Sequence, residues 1–103
     1  MTGRKLSENI MRLFHRHLVA EEKSTATVEK YLRDSRAFRV YIGDEAVTKE
    51  VMMRYKKHLQ EKGYAVRSIN SMLASVNSLL DFLGWTDCKV KCLKQQKQVY
   101  CPE

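Results

Sequence analysis

The sequence predicts an all-α domain, a bundle of four helices, and three features of the pattern indicate it. Apolar residues recur at the i, i+3, i+4, i+7 spacing of one helical face in four stretches between residues 7 and 84. Gly43, Gly63 and Gly84 follow three of these stretches, and the only proline is Pro102. No alternating strand pattern competes in this range. Because the connections are short, we expect two helical hairpins folded around one core.

The first helix is predicted to begin after Ser7, a good N-cap, with Glu8 at the positive end of the helix dipole, and to run to about Ala20. His15 and His17 point to different faces, so they do not form a helical metal-binding pair. The predicted apolar stripe consists of Leu6, Ile10, Leu13, Phe14, His17 and Leu18.

The second helix is predicted to be capped by Ser24 or Thr25 and to end at Gly43. A basic ridge about three turns long runs off its apolar side. This ridge is either a nucleic-acid contact or a solvated face partly paired with Glu29 and Asp34, and charge patterning alone leaves both readings open. The apolar side consists of Val28, Tyr31, Leu32, Ser35, Phe38, Tyr41 and Ile42, and the ridge of Lys30, Arg33, Arg36 and Arg39.

Thr48 is predicted to cap a third helix that ends at Gly63 and is also basic. The fourth helix is predicted to span Val66 to Leu83, with a strong apolar stripe on one side. Its other side has small or hydrogen-bonding side chains that would let a protein or nucleic-acid backbone approach closely. That side consists of Arg67, Asn70, Ser71, Ala74, Ser75 and Ser78.

After Trp85 the chain is rich in lysine and glutamine and loses its periodicity. We expect residues 1–85 to form the helical domain and residues 86–103 to be an extended tail, a linker toward a domain that lies beyond this sequence. The three cysteines, Cys88, Cys92 and Cys101, are predicted to be reduced thiols, since their number is odd and their spacing is a poor match to a zinc site.

Composition narrows the class of partner. The 103 residues suffice for one domain, and the net charge of +7 favours an anionic partner. Charge alone does not choose between nucleic acid and an acidic membrane surface. No signal peptide or membrane-spanning segment is recognisable, so we expect a cytoplasmic protein without a membrane partner. No activated nucleophile, carboxylate pair or phosphate-binding glycine loop is recognisable either. We therefore expect no catalytic residue, no metal and no cofactor in this chain, and a monomeric fragment.

The order and spacing of certain residues in the second and fourth helices are distinctive. They are Ser24, Thr27, Tyr31, Phe38 and Tyr41 in the second helix, and Ser68, Ile69, Asn70, Leu73, Val76, Leu79 and Leu80 in the fourth. These helices resemble the N-terminal core-binding domain of the tyrosine recombinase, or phage integrase, family. The resemblance covers about residues 6–100, and the end of the chain, KCLKQQKQVYCPE, is similar to the segment that leads into the family's catalytic domain.

This resemblance implies a four-helix, SAM-like domain that grips crossover-site DNA from one side, together with other recombinase protomers, in site-specific recombination and integration of a mobile element. The catalytic set of the family would lie beyond residue 103. The fourth helix departs from the family at Ser71, Asn77 and Asp81, where the resemblance implies arginines. We therefore expect more of the DNA affinity to come from the second helix and the loops. Asn70 could pair with adenine in a major groove, although a structural asparagine near the start of the helix is the favoured alternative. The candidate DNA-binding residues are Thr25, Thr27, Lys30, Arg33, Arg67, Ser68, Asn70 and Ser71.

Two rival functions stay open. A helical protein-interaction module would expose an apolar patch on the folded surface. A small helix-turn-helix regulator would need a dimer contact and a short recognition helix, which the long fourth helix fits poorly.

Overall fold

A computed structural model describes residues 4–93, and it contains four α-helices joined by short loops. The helices are α1 (Glu8–Ala20), α2 (Thr25–Ile42), α3 (Lys49–Glu61) and α4 (Val66–Leu83), followed by a 3-10 turn at Thr86–Cys88. No strand occurs within residues 4–93. The predicted all-α fold is therefore confirmed.

Local signals in the sequence set the helix ends. The hydroxyls of Ser7, Ser24 and Thr48 each accept a hydrogen bond from the backbone N–H three residues later, at 3.1–3.2 Å, which satisfies a free donor of the first turn. At the other end of α4, Gly84 has φ +81°, a left-handed conformation that a side chain would strain. Capping hydroxyls thus fix the starts of α1, α2 and α3, and a left-handed glycine fixes the end of α4.

The core lies where α2 and α4, which make the most extensive helix contact of the bundle, meet α1 and α3. Aromatic pairs lie on both sides of it: Phe38 packs edge-on against Tyr55 at 4.9 Å, and Phe14 contacts Phe82 at 5.6 Å between ring centroids. Burying one such side chain contributes about 1.5–3 kcal/mol. The largest fully buried side chains are Phe14, Phe38, Met11, Leu18, Met52, Ile69, Leu73, Leu79 and Leu80.

Two side chains differ from the predicted pattern. Leu13, predicted on the apolar stripe of α1, is 42% exposed, because the buried face of α1 centres on Met11, Phe14 and Leu18. Ser75, predicted on the open side of α4, is fully buried between α4 and α2.

Packing also continues past Trp85, where we expected a linker to begin. Cys88 and Val90 are buried in the same core as the helices, and Leu93 packs against it. We call residues 86–93 the strap. The rest of the predicted tail, including Cys101, lies outside the described residues.

Candidate nucleic-acid interface

A concave surface of about 280 Å³ opens between α2 and the N-terminal half of α4. Four of the predicted DNA-binding residues line it, although they come from positions up to 41 residues apart. We call this surface the α2–α4 cleft, and it is lined by Lys30, Arg33, Asp34, Tyr64, Ser68, Ser71 and Met72.

Lys30 lies in the cleft but is bound to the protein itself. Its Nζ donates to Asp34 Oδ2 at 2.8 Å, to Ser75 Oγ at 3.1 Å and to the Ser71 carbonyl at 3.1 Å. An ammonium has three protons, and these three acceptors use all of them. Ser75 Oγ also donates to the same Asp34 oxygen at 2.8 Å, so a polar network ties α2 to α4. Lys30 therefore links α2 to α4 in this structure, and its ammonium has no proton left to donate to DNA. Its positive charge still lies at the cleft.

Two carboxylates, Asp34 and Glu8, pair with the four cations of the basic ridge of α2 and offset half of its charge. Arg36 and Arg39 both pair with Glu8 of α1, at 3.2 and 3.1 Å. Exposed ion pairs of this kind contribute only about 0–1 kcal/mol to stability, so Glu8 does not hold the two arginines firmly in place. Its main effect is to lower the positive charge of this part of the ridge. Arg33 differs, since its side chain is 74% exposed and its Nε lies 3.6 Å from Asp34 Oδ1. Arg33 is the ridge residue that presents its guanidinium most openly at the cleft.

The N-terminus of α4 forms one end of the cleft. Within residues 4–93, no side chain caps the first turn of α4, unlike the other three helices. Arg67 and Ser68 are exposed in that turn. This end of α4 could bind a phosphate oxygen, because it offers free backbone N–H groups, the positive end of the helix dipole and the guanidinium of Arg67.

Three other predicted residues have different surroundings. Thr25 lies in a groove on the α1 side of α2, with His15 and Val19, and so outside the cleft. Thr27 is half-buried, and its hydroxyl accepts a hydrogen bond from Ser24 at 3.0 Å. Asn70 binds the backbone of Leu93 on the strap, accepting from its N–H at 2.7 Å and donating to its carbonyl at 3.0 Å. The structure thus brings Lys30, Arg33, Ser68 and Ser71 together and occupies Asn70 elsewhere.

Tyr64 is a cleft residue that the sequence reasoning missed. It is 45% exposed where the α3–α4 connection meets the cleft, beside Ser68 and Met72. An amphipathic aromatic residue just before a helix N-terminus was the available signal, but we assigned this position only to a connection. Its hydroxyl is a further donor on the same surface.

Two further findings concern other kinds of site. Residues 4–93 contain no group of three or more His, Cys, Asp or Glu side chains placed to hold a metal ion. Over the same residues, none of the helices has both the length and the apolar character needed to cross a membrane.

The fold and the cleft define a class, a small all-α bundle with a basic, hydroxyl-bearing concave face. Comparison with models of known families agrees with this class. The model of the phage integrase N-terminal SAM-like domain matches residues 11–87 of the chain. The match covers most of the chain, so the chain belongs to this family, and the predicted resemblance and SAM-like fold are confirmed. Comparison with curated proteins gave no match, and comparison with solved structures gave none either.

Proposed function

We propose that this chain is the core-site DNA-binding domain of a tyrosine recombinase. In this proposal it grips one face of double-stranded DNA during site-specific recombination and integration of a mobile element, in the cytoplasm and beside other protomers. It leaves strand cleavage to a separate catalytic domain. The observation that carries the proposal is the convergence of Arg33 and Lys30 with the hydroxyls of Ser68 and Ser71 in one cleft.

The chemistry of the cleft suits a sugar–phosphate backbone. Arg33 can donate two parallel hydrogen bonds to a phosphate, and Arg67 adds a second guanidinium beside the free amides of α4. Serine hydroxyls and amides then fix the register of the duplex, whereas the cations supply affinity through release of counterions. Lys30 holds the two helices at the spacing that brings these groups together.

Fluorescence anisotropy with a labelled duplex over a salt series tests this proposal. The double variant Arg33→Gln and Arg67→Gln should lower the slope of log K against log salt by roughly 1.8, since each lost phosphate contact removes about 0.9. The matched control is Arg16→Gln with Lys57→Gln, exposed cations of α1 and α3, which changes net charge equally. Equal losses in both double variants would mean that long-range attraction, rather than a docked α2–α4 face, accounts for binding.

One observation favours a second candidate, a protein-interaction module. Val40 is 82% exposed beside a groove that Tyr41, Tyr55 and Tyr64 help to line. Exposed apolar and aromatic side chains that line one groove are typical of protein contacts. Val40→Ser should leave duplex affinity within about twofold, because it adds no charge and Val40 is none of the proposed phosphate contacts.

A further inference from the structure

The strap lies in the groove between α3 and α4 and is held there by side chains that bind its backbone. Asn77 accepts from the Val90 N–H at 3.2 Å and donates to the Val90 carbonyl at 2.9 Å, and Asn70 binds Leu93 in the same way. From the other side, Lys56 Nζ donates to the Lys91 carbonyl at 2.7 Å, and Lys49 donates to the Lys89 carbonyl.

The spacing of these contacts fits an extended chain that runs antiparallel to α4. Seven helical residues, from Asn70 to Asn77, advance about 10.5 Å. Three extended residues, from Val90 to Leu93, advance about 10 Å. Both asparagines therefore reach their backbone partners without distortion of either element. Within the strap, Val90 is buried, Lys91 and Cys92 are exposed, and Leu93 is half-buried.

Around the axis of α4, the strap and the α2–α4 cleft lie on opposite sides of Arg67. At about 100° per residue, Ser71 is displaced by about 40° from Arg67 around the axis of α4, and Asn70 by about 60° in the opposite direction. Ser71 belongs to the cleft, and Asn70 holds the strap. Arg67 therefore stands between two flanking elements, α2 with Arg33 and the strap with Lys91.

Two polar side chains in the C-terminal half of α4 also engage the strap. Asn77 binds the backbone of Val90, and Asp81 pairs with Lys89 at 2.9 Å. The strap is therefore fixed along α4 by side chains at several positions.

We propose that the docked strap forms the second flank of the DNA-binding surface and that Lys91 contacts a phosphate there. The inference rests on the proposed function, because it adds a contact to that surface. The two phosphate backbones that border the major groove are separated by about 12 Å, close to the diameter of a helix with its side chains. A duplex whose groove faces α4 therefore brings one backbone toward Arg33 and the other toward Lys91.

Anisotropy with Lys91→Gln tests this contact. We expect the salt slope to fall by roughly 0.9 and the affinity to fall about fivefold to tenfold near 0.1 M salt. Lys57→Gln, an exposed lysine of α3, is the control and should cost less than twofold. Far-ultraviolet circular dichroism checks that both variants keep their helices, which we expect because both side chains are exposed.

A second variant tests whether docking matters. The double variant Asn70→Ala and Asn77→Ala removes all four hydrogen bonds from α4 side chains to Val90 and Leu93. Amide hydrogen exchange at residues 89–93 should report the released strap. In that background, Lys91→Gln should cost less than twofold, because Lys91 is no longer held at the flank. An undiminished cost there would overturn the role of the docked strap.

The outcomes separate the two proposals. If Arg33→Gln weakens binding and Lys91→Gln behaves like Lys57→Gln, the strap inference is wrong and the proposed function stands. If no duplex binds at low salt, or if Arg33→Gln changes nothing, the proposed function itself fails and the inference fails with it.

Discussion

Replacing Lys30 with methionine separates a structural role of this residue from a DNA-contact role. The variant removes the ammonium that donates to Asp34, Ser75 and Ser71 and leaves the Asp34 carboxylate, whose side chain is only 6% exposed, without its main counter-charge. Arg33 Nε, at 3.6 Å, replaces it only in part.

The magnitude follows from the exposure of the pair. Breaking a fully buried ion pair by removing one partner costs about 3–5 kcal/mol. The Lys30 side chain is 34% exposed, so solvent screens part of the interaction, and we expect a loss of about 2 kcal/mol. For a domain of this size the Tm should then fall by about 8–16 °C.

Urea unfolding followed by circular dichroism measures this loss, and a second variant controls for it. Lys30→Met combined with Asp34→Leu removes both charges from the α2–α4 contact, and its stability should return to within about 1 kcal/mol of the wild type. An unchanged Tm in Lys30→Met, together with weaker duplex binding, would refute the structural role and make Lys30 a phosphate ligand.

Two further predictions concern buried hydroxyl groups. Ser35 and Ser75 are both fully buried, but the Ser35 hydroxyl has no hydrogen-bond partner among residues 4–93, whereas Ser75 binds Asp34. Ser35→Ala should therefore raise the free energy of unfolding by about 1 kcal/mol, and Ser75→Ala should lower it by about 1–2 kcal/mol. Urea unfolding measures both changes, and changes of the same sign would contradict the account. Burial raises the pKa of Tyr55 to about 12, with the Asp34 charge adding to the shift. Because the folded state then holds a proton that the unfolded state loses from about pH 10, stability should fall between about pH 10 and 12, and Tyr55→Phe should remove this part of the fall in urea titrations.

The helices could be predicted from the sequence because their signals are local. Ser7, Ser24 and Thr48 cap the turn that follows them, and Gly84 ends the helix just before it. Each signal acts over three or four residues, so a linear pattern contains it. The side of α4 that carries small and hydrogen-bonding residues could also be predicted from local spacing. That spacing could not tell the buried Ser75 from the less buried Ser71 and Ser78.

The state of the basic ridge could not be predicted in this way. Arg36 and Arg39 meet Glu8 across 28 and 31 residues, and Lys30 meets Ser71 across 41. Such pairs depend on how α1 and α4 pack against α2, which no periodicity encodes. The prediction left open a solvated, partly paired ridge. The structure pairs all four of its cations within the protein, two with Asp34 and two with Glu8, a partner from another helix.

The strap was missed for a different reason. Asn70 and Asn77 bind backbone N–H and C=O groups, which every sequence offers, so the strap segment carries little signal of its own. The seven-residue spacing of the two asparagines was the one available cue. Asn70 was a DNA-binding candidate because an asparagine can pair with adenine in a major groove, and the alternative was a structural asparagine near the start of the helix. Its hydrogen bonds to Leu93 agree with that alternative.

The central claim is that DNA binds the α2–α4 face, and amide chemical-shift mapping tests it most directly. A labelled sample of the chain is titrated with a duplex at low salt, and the titration is repeated at high salt to remove non-specific attraction. The account predicts that the largest shifts fall on the N-terminal turn of α4 at Arg67 and Ser68 and around Arg33, and that the amides of Arg16 and Lys57 change little. Shifts concentrated on the outer faces of α1 or α3, with the cleft unperturbed, would contradict it.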